Sequence, residues 1–113
     1  MPCSFFISAP PNDTALNNAY DAINSCILNG TPIKQIFIFN HAARLFMEDS
    51  THKRWRELLK ATQSDVIICS KAAANAQLDN SMLPSNASIA GMASFVESIN
   101  NDITVHSFRP SLV

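Results

Sequence analysis

Val66-Ile67-Ile68-Cys69-Ser70-Lys71-Ala72-Ala73-Ala74 is the stretch whose reading decides the fold of this 113-residue chain. A continuous β-branched run such as Val66 to Ile68 suits a strand buried on both faces, and the alanines after the cysteine are strong helix formers. The stretch therefore predicts strand, thiol, helix, with Cys69 at the carboxyl end of a central strand. In open α/β sheets that edge is where ligands and catalytic groups collect, and the helix that follows presents unpaired N–H groups and the positive end of its dipole. Both features favour a thiolate over a thiol. Free cysteine is also among the most buried residue types and packs as a small hydrophobe, so local sequence leaves Cys69 with two readings, reactive and inert.

Upstream of this stretch, Gln63-Ser64-Asp65 turns the chain into the strand. Before it, Glu48-Asp49-Ser50-Thr51 supplies capping residues for a helix with Trp55, Leu58, Leu59 and Thr62 on one face. His52, Lys53, Arg54, Arg56 and Lys60 populate the rest of that region, a basic surface suited to an acidic partner or an anion and equally to plain solvation. Ile33 to Phe39 reads as a strand, and Asn40-His41-Ala42-Ala43-Arg44 as a loop at its carboxyl edge, the edge that also holds Cys69. His41, with its near-neutral pKa, is a candidate to approach the thiol, or an ordinary solvated side chain.

The chain starts with Ser4 to Ser8 as a first buried strand, closed by Ala9-Pro10-Pro11. Asn12 or Asp13 caps a helix with apolar positions Leu16, Ala19, Tyr20, Ile23 and Ile27, which stops at Asn29-Gly30. Strand, helix, strand within about 30 residues is the signature of a right-handed βαβ crossover, so the sheet is expected to be parallel. Cys3, at the start of the first strand, lies at the edge opposite Cys69, and Cys26 flanks the packed stripe of the first helix. Downstream of the thiol helix, residues 77–86 are polar and turn-rich and read as a loop able to cover the thiol. Ala87 to Ala90 reads as a short strand, Met92, Phe95, Val96 and Ile99 as a helix from Gly91 onward, and Ile103 to Phe108 as a closing strand on which His106 is structural.

The bulk numbers fit one domain spanning residues 1–113, long enough to build a core without disulfides or metals. Its 15% charged residues fall below the usual value of about 25%, so part of the surface is expected to be covered by other subunits. A formal net charge of -1 gives no pull toward nucleic acid, and no apolar run approaches a membrane span. The start of the chain lacks a basic segment and cleavage site, and the three cysteines are odd in number and widely spaced, so reduced thiols in the cytoplasm are expected. With Gly30 and Gly91 as the only glycines, no phosphate-cradling loop can exist, and neither paired carboxylates nor metal-ligand spacing is found. No cofactor is expected.

The order of elements resembles the DsrE/TusD-like sulfurtransferases, which relay sulfur as a cysteine persulfide. The resemblance runs along nearly the whole chain. It is carried by the first strand and helix ending at Gly30, Ile36-Phe37-Ile38-Phe39, Trp55 in the helix before the thiol strand, Val66-Ile67-Ile68-Cys69 followed by Ala72-Ala73-Ala74, and Ala90-Gly91-Met92 through Glu97 to Asp102 and Phe108. It implies a three-layer α/β sandwich of the DsrE/flavodoxin-like kind, with a mainly parallel sheet of four to five strands flanked by helices. It implies Cys69 as the sulfur-carrying residue, and the carry-over rests on that one residue. Ser70, His41, Lys53, Arg54 and Arg56, read from their own positions, are expected to serve thiolate stabilisation or partner docking rather than a chemical step of their own. The resemblance also implies sulfur-donor and sulfur-acceptor proteins as partners, in tRNA thiolation or sulfur oxidation, and sister subunits in a hetero-oligomer or homo-oligomer. The chain is shorter than TusD-like members between the thiol helix and Gly91. Two other readings remain: a scaffold subunit of the same fold with an inert Cys69, and a redox-sensing thiol that oxidises to sulfenic acid.

Overall fold

The computed structural model describes residues 3–9, 13–46, 53–79, 81, 83–91 and 104–109. The first unit is β1 (Cys3–Ile7), α1 (Thr14–Asn29) and β2 (Ile33–Ile38), two parallel strands joined through a helix. Both ends of α1 are closed as the sequence indicates. The Asp13 carboxylate accepts a hydrogen bond from the Ala15 N–H at 2.8 Å. At the other end Gly30 adopts a left-handed φ of 71°, and the Thr31 N–H donates to the Cys26 carbonyl at 2.9 Å. Asp13→Ala is therefore expected to cost about 1 kcal/mol, read as a lower urea midpoint with an unchanged denaturant slope.

From β2 the chain enters a short 3-10 helix, Asn40–Phe46, where a loop was expected. Asn40 takes a positive φ of 51° that turns the chain off the strand, and the Ala42 N–H donates to the Phe39 carbonyl at 3.1 Å. Ala42, Ala43, Leu45 and Phe46 are all fully buried, which is what holds so short a helix in place. There follow α2 (Lys53–Thr62), β3 (Asp65–Cys69), α3 (Ser70–Asn75), β4 (Ala87–Ala90) and β5 (Thr104–Phe108). The helix read from Gly91 onward lies outside the described residues.

All five strands are parallel and lie in the order β4-β3-β2-β1-β5. Registers of Phe5 with Ile36 and Val66, and of Ile7 with Ile38 and Ile68, align the apolar side chains of one face in rows. Onto them pack Leu16, Ala19 and Ile23 of α1, Trp55, Leu58 and Leu59 of α2, and Ala72 and Ala73 of α3. The opposite face carries an aromatic strip, with Phe39 stacked on Phe6 at 4.3 Å and on Phe37 at 6.3 Å. At the amino edge, Asn86 Nδ2 donates to the Leu59 and Ser64 carbonyls at 2.9 and 2.8 Å, anchoring the entry to β4 beside the entry to β3. The result is an α/β sandwich on a single parallel sheet. Among the described residues no helix is long and apolar enough to cross a membrane.

Candidate functional site at the carboxyl edge

Because all five strands run parallel, their carboxyl ends form a single edge of the sheet, the edge along which open α/β sheets bind their ligands. From β1 to β4 the chain steps across the sheet in one direction and β5 lies on the far side of β1, so the strand order reverses between β1 and β5, while Cys69 ends β3 on the same edge. Cys69, last residue of β3, is in register with Ala90, last residue of β4. The cysteine is half-buried and forms the N-cap of α3, packed against the edge of the core, and its side chain makes no capping hydrogen bond. Ser70 and Lys71, the first residues of α3, are exposed.

A cleft of about 330 Å³ opens beside this point, lined by Ser8, Asn40, His41, Arg44, Ala72, Asn75 and Ala76. In a 3-10 helix, residues three apart eclipse one another, so His41 and Arg44 leave on the same side while the alanines, Leu45 and Phe46 turn inward. On α3, Ala72, Asn75 and Ala76 follow the i, i+3, i+4 spacing of one helical face. Cys69 does not line the cleft, and among the described residues no hydrogen bond joins it to His41. His41 is brought to the same edge as the thiol, but its near neighbours are Asn40, Arg44 and α3. Ser8, Asn40, Arg44 and Asn75 are cleft residues that nothing in the sequence alone marks as a site. For Arg44 the nearest approach to a signal was a polar pair at i, i+3 within an otherwise apolar stretch, whereas Ser8 and Asn75 enter only through tertiary packing.

The basic residues of α2 divide between two surroundings. Lys53, Arg56 and Lys60 line a groove of about 360 Å³ together with Glu57, Ser81, Leu83 and Pro84, and Lys53 lies 4.0 Å from the Glu57 carboxylate. Arg54 points the other way. Its guanidinium donates to Asn17 Oδ1 at 3.0 Å and lies 4.5 Å from the centroid of the Tyr20 ring, which in turn meets Trp55 edge-on at 5.4 Å. Arg54 thus braces α2 against α1, while Lys53 and Arg56 face the groove. Among the described residues, no group of three histidine, cysteine or acidic side chains is arranged to hold a metal ion.

A sequence model of the DsrE/DsrF-like family matches residues 1–106. The chain belongs to the DsrE/DsrF-like family. Solved structures share the fold at low sequence identity. The ychN protein of E. coli has a TM-score of 0.72 at 17% identity, over 96% of this chain and 100% of that one. MTH1491 from Methanobacterium thermoautotrophicum, a protein of unknown function, gives 0.74 at 10% identity over 94% and 97%. BT1422 from Bacteroides thetaiotaomicron, a conserved protein of unknown function, gives 0.68 at 14% over 92% and 93%. No curated protein matches.

In this DsrE/DsrF-like chain the other two cysteines lie together, away from Cys69. Cys3 Sγ is 3.8 Å from Cys26 Sγ and 3.6 Å from the Pro32 carbonyl, to which it donates. Burial, reinforced by the neighbouring Cys26 sulfur, pushes the Cys3 thiol from its ordinary value near 9 up to about 11. A raised pKa means that the folded protein keeps a proton the unfolded chain gives up. The resulting stabilisation is complete below pH 9 and is lost as pH rises toward 11. Urea unfolding between pH 8 and about 11 should show this decline for the wild type and a flatter profile for Cys3→Ala. Equal slopes in the two proteins would contradict the assignment.

Proposed function

We propose that this protein is a sulfur carrier that accepts sulfane sulfur as a persulfide on Cys69 and passes it to a partner thiol, in tRNA thiolation or sulfur oxidation. The observation that supports the reading is the position of Cys69: a half-buried sulfur, free of capping bonds, at the carboxyl edge of a parallel DsrE/DsrF-like sheet. The chemistry asks little more of the protein. The Cys69 thiolate attacks the outer sulfur of a donor persulfide, the donor S–S bond breaks with its electron pair leaving on the donor thiolate, and the new S–S bond holds the sulfur until an acceptor thiolate attacks it. Rate in such an exchange depends on access to both sulfurs, which an edge position allows.

Within this reading the Lys53–Arg56–Lys60 groove docks an acidic surface of a donor or acceptor protein, and sister DsrE-family subunits or further copies of the chain complete the assembly. Transfer of labelled sulfur from a protein persulfide donor through this protein to an acceptor thiol tests the proposal. Transfer that requires Cys69 supports it. A chain that assembles with its partners yet never receives label is a scaffold subunit instead.

A further inference from the structure

The cleft beside α3 has a chemistry of its own. Among the described residues its polar lining consists of the Arg44 guanidinium, the His41 imidazole, the carboxamides of Asn40 and Asn75, and Ser8, with no carboxylate. Ser8 is only 3% exposed as a residue, lines the cleft, and its hydroxyl makes no hydrogen bond to any described residue, so it can serve a ligand there. Arg44 is exposed and likewise has no ion-pair or hydrogen-bond partner among the described residues. Donors without a counter-charge are the complement of an oxyanion, and guanidinium is the side chain best matched to a carboxylate.

Position and size narrow the ligand. Ser8 and Cys69 each follow in-register residues, Ile7, Ile38 and Ile68, so they lie at one level of the edge. Two strand spacings separate them, about 10 Å. An extended peptide of three residues spans about the same distance. At about 330 Å³ the cleft lies at the small end of organic-ligand sites and is roomier than one inorganic oxyanion needs.

We propose that the Ser8–Asn40–His41–Arg44–Asn75 cleft holds the carboxylate end of a small peptide-like thiol persulfide, leaving its sulfur within reach of Cys69. This deepens, and rests on, the reading of Cys69 as a sulfur carrier. The transfer is balanced without oxidant or reductant. The Cys69 thiolate attacks the outer sulfur of R–S–SH, the electron pair of the broken S–S bond leaves on R–S⁻, and the hydrogen remains on the transferred sulfur as Cys69–S–SH.

The test is a titration of the reduced, isotope-labelled protein with glutathione, its diethyl ester and sulfite, followed by NMR, together with intact-mass measurement of Cys69 loading from glutathione persulfide and from a protein persulfide donor. Saturable shifts at Asn40, Arg44 and Asn75 are expected with glutathione, and much weaker ones with the ester. Arg44→Ala, at an exposed site, should weaken glutathione binding about tenfold, and Ser8→Ala should weaken it less. Arg44→Ala should also slow loading from glutathione persulfide while sparing loading from the protein donor. Equal binding of acid and ester, binding of sulfite alone, or an Arg44→Ala protein that binds glutathione like the wild type would each overturn the cleft assignment. If Cys69 loads from the protein donor while glutathione does not bind, the cleft assignment falls and the carrier reading stands. If glutathione binds in the cleft but neither donor loads Cys69, the carrier reading falls and takes the donor role of the cleft with it.

Discussion

Cys69→Ser should reduce sulfur transfer to background while leaving the fold intact. A serine hydroxyl is not ionised at neutral pH and cannot replace a thiolate as the attacking and carrying atom, so no residual route through this position remains. The structural cost should be small. Cys69 is half-buried, makes no capping hydrogen bond, and lies at the end of its strand, where one sulfur-to-oxygen change should alter stability by less than about 1 kcal/mol. Circular dichroism and urea unfolding of the variant, beside the transfer assay, separate chemical loss from structural loss. Cys3→Ser and Cys26→Ser should behave oppositely, retaining transfer. Cys3 is buried at the opposite edge of the sheet and holds its proton strongly, and Cys26 is its neighbour at 3.8 Å.

Phe5→Ala should produce the largest loss of stability, about 3–5 kcal/mol, a substantial part of the 5–15 kcal/mol that holds a typical domain together. Phe5 is fully buried in the middle of the sheet, in register with Ile36 on one side and with His106 on the other. Its ring stacks on His106 at 5.3 Å and reaches Phe108 at 6.2 Å, which gives His106 the structural role read from the sequence. Removing the ring leaves a cavity under β5 and withdraws the main side-chain contact that joins this strand to β1. Urea denaturation monitored by far-UV dichroism reads the effect, and a loss below about 1 kcal/mol would show that β5 is held by something else.

The sheet was legible because its strands announce themselves. Val66-Ile67-Ile68 and Ile36-Phe37-Ile38-Phe39 are too β-branched and aromatic for helices and too continuous for a one-sided sheet. Asp13 and Gly30 mark both ends of α1 through capping chemistry that needs no tertiary information. The Asn40–Phe46 segment was harder to read. Its four buried residues follow neither strand nor α-helical period, and a 3-10 turn of this kind is stabilised by the core it packs against rather than by its own propensity. The same limit applies to the site. Cys69 is visible at the end of an apolar run. The cleft is assembled from Ser8, the 3-10 helix and one face of α3, which come together only when strands distant in sequence take their places in the sheet. Lys53, Arg54 and Arg56 formed one basic run in the sequence, and only the helix geometry separates Arg54, directed at Tyr20 and Asn17, from the two that face the groove.

The most direct measurement of the central claim is the intact mass and non-reducing peptide map of the wild type, Cys69→Ser, Cys3→Ser and Cys26→Ser after incubation with a persulfide donor protein. The expected result is one added sulfur, mapped to the peptide containing Cys69, in the wild type and in the Cys3 and Cys26 variants, and none in Cys69→Ser. Undiminished loading of Cys69→Ser, or sulfur mapped to Cys3 or Cys26 in the wild type, would contradict it.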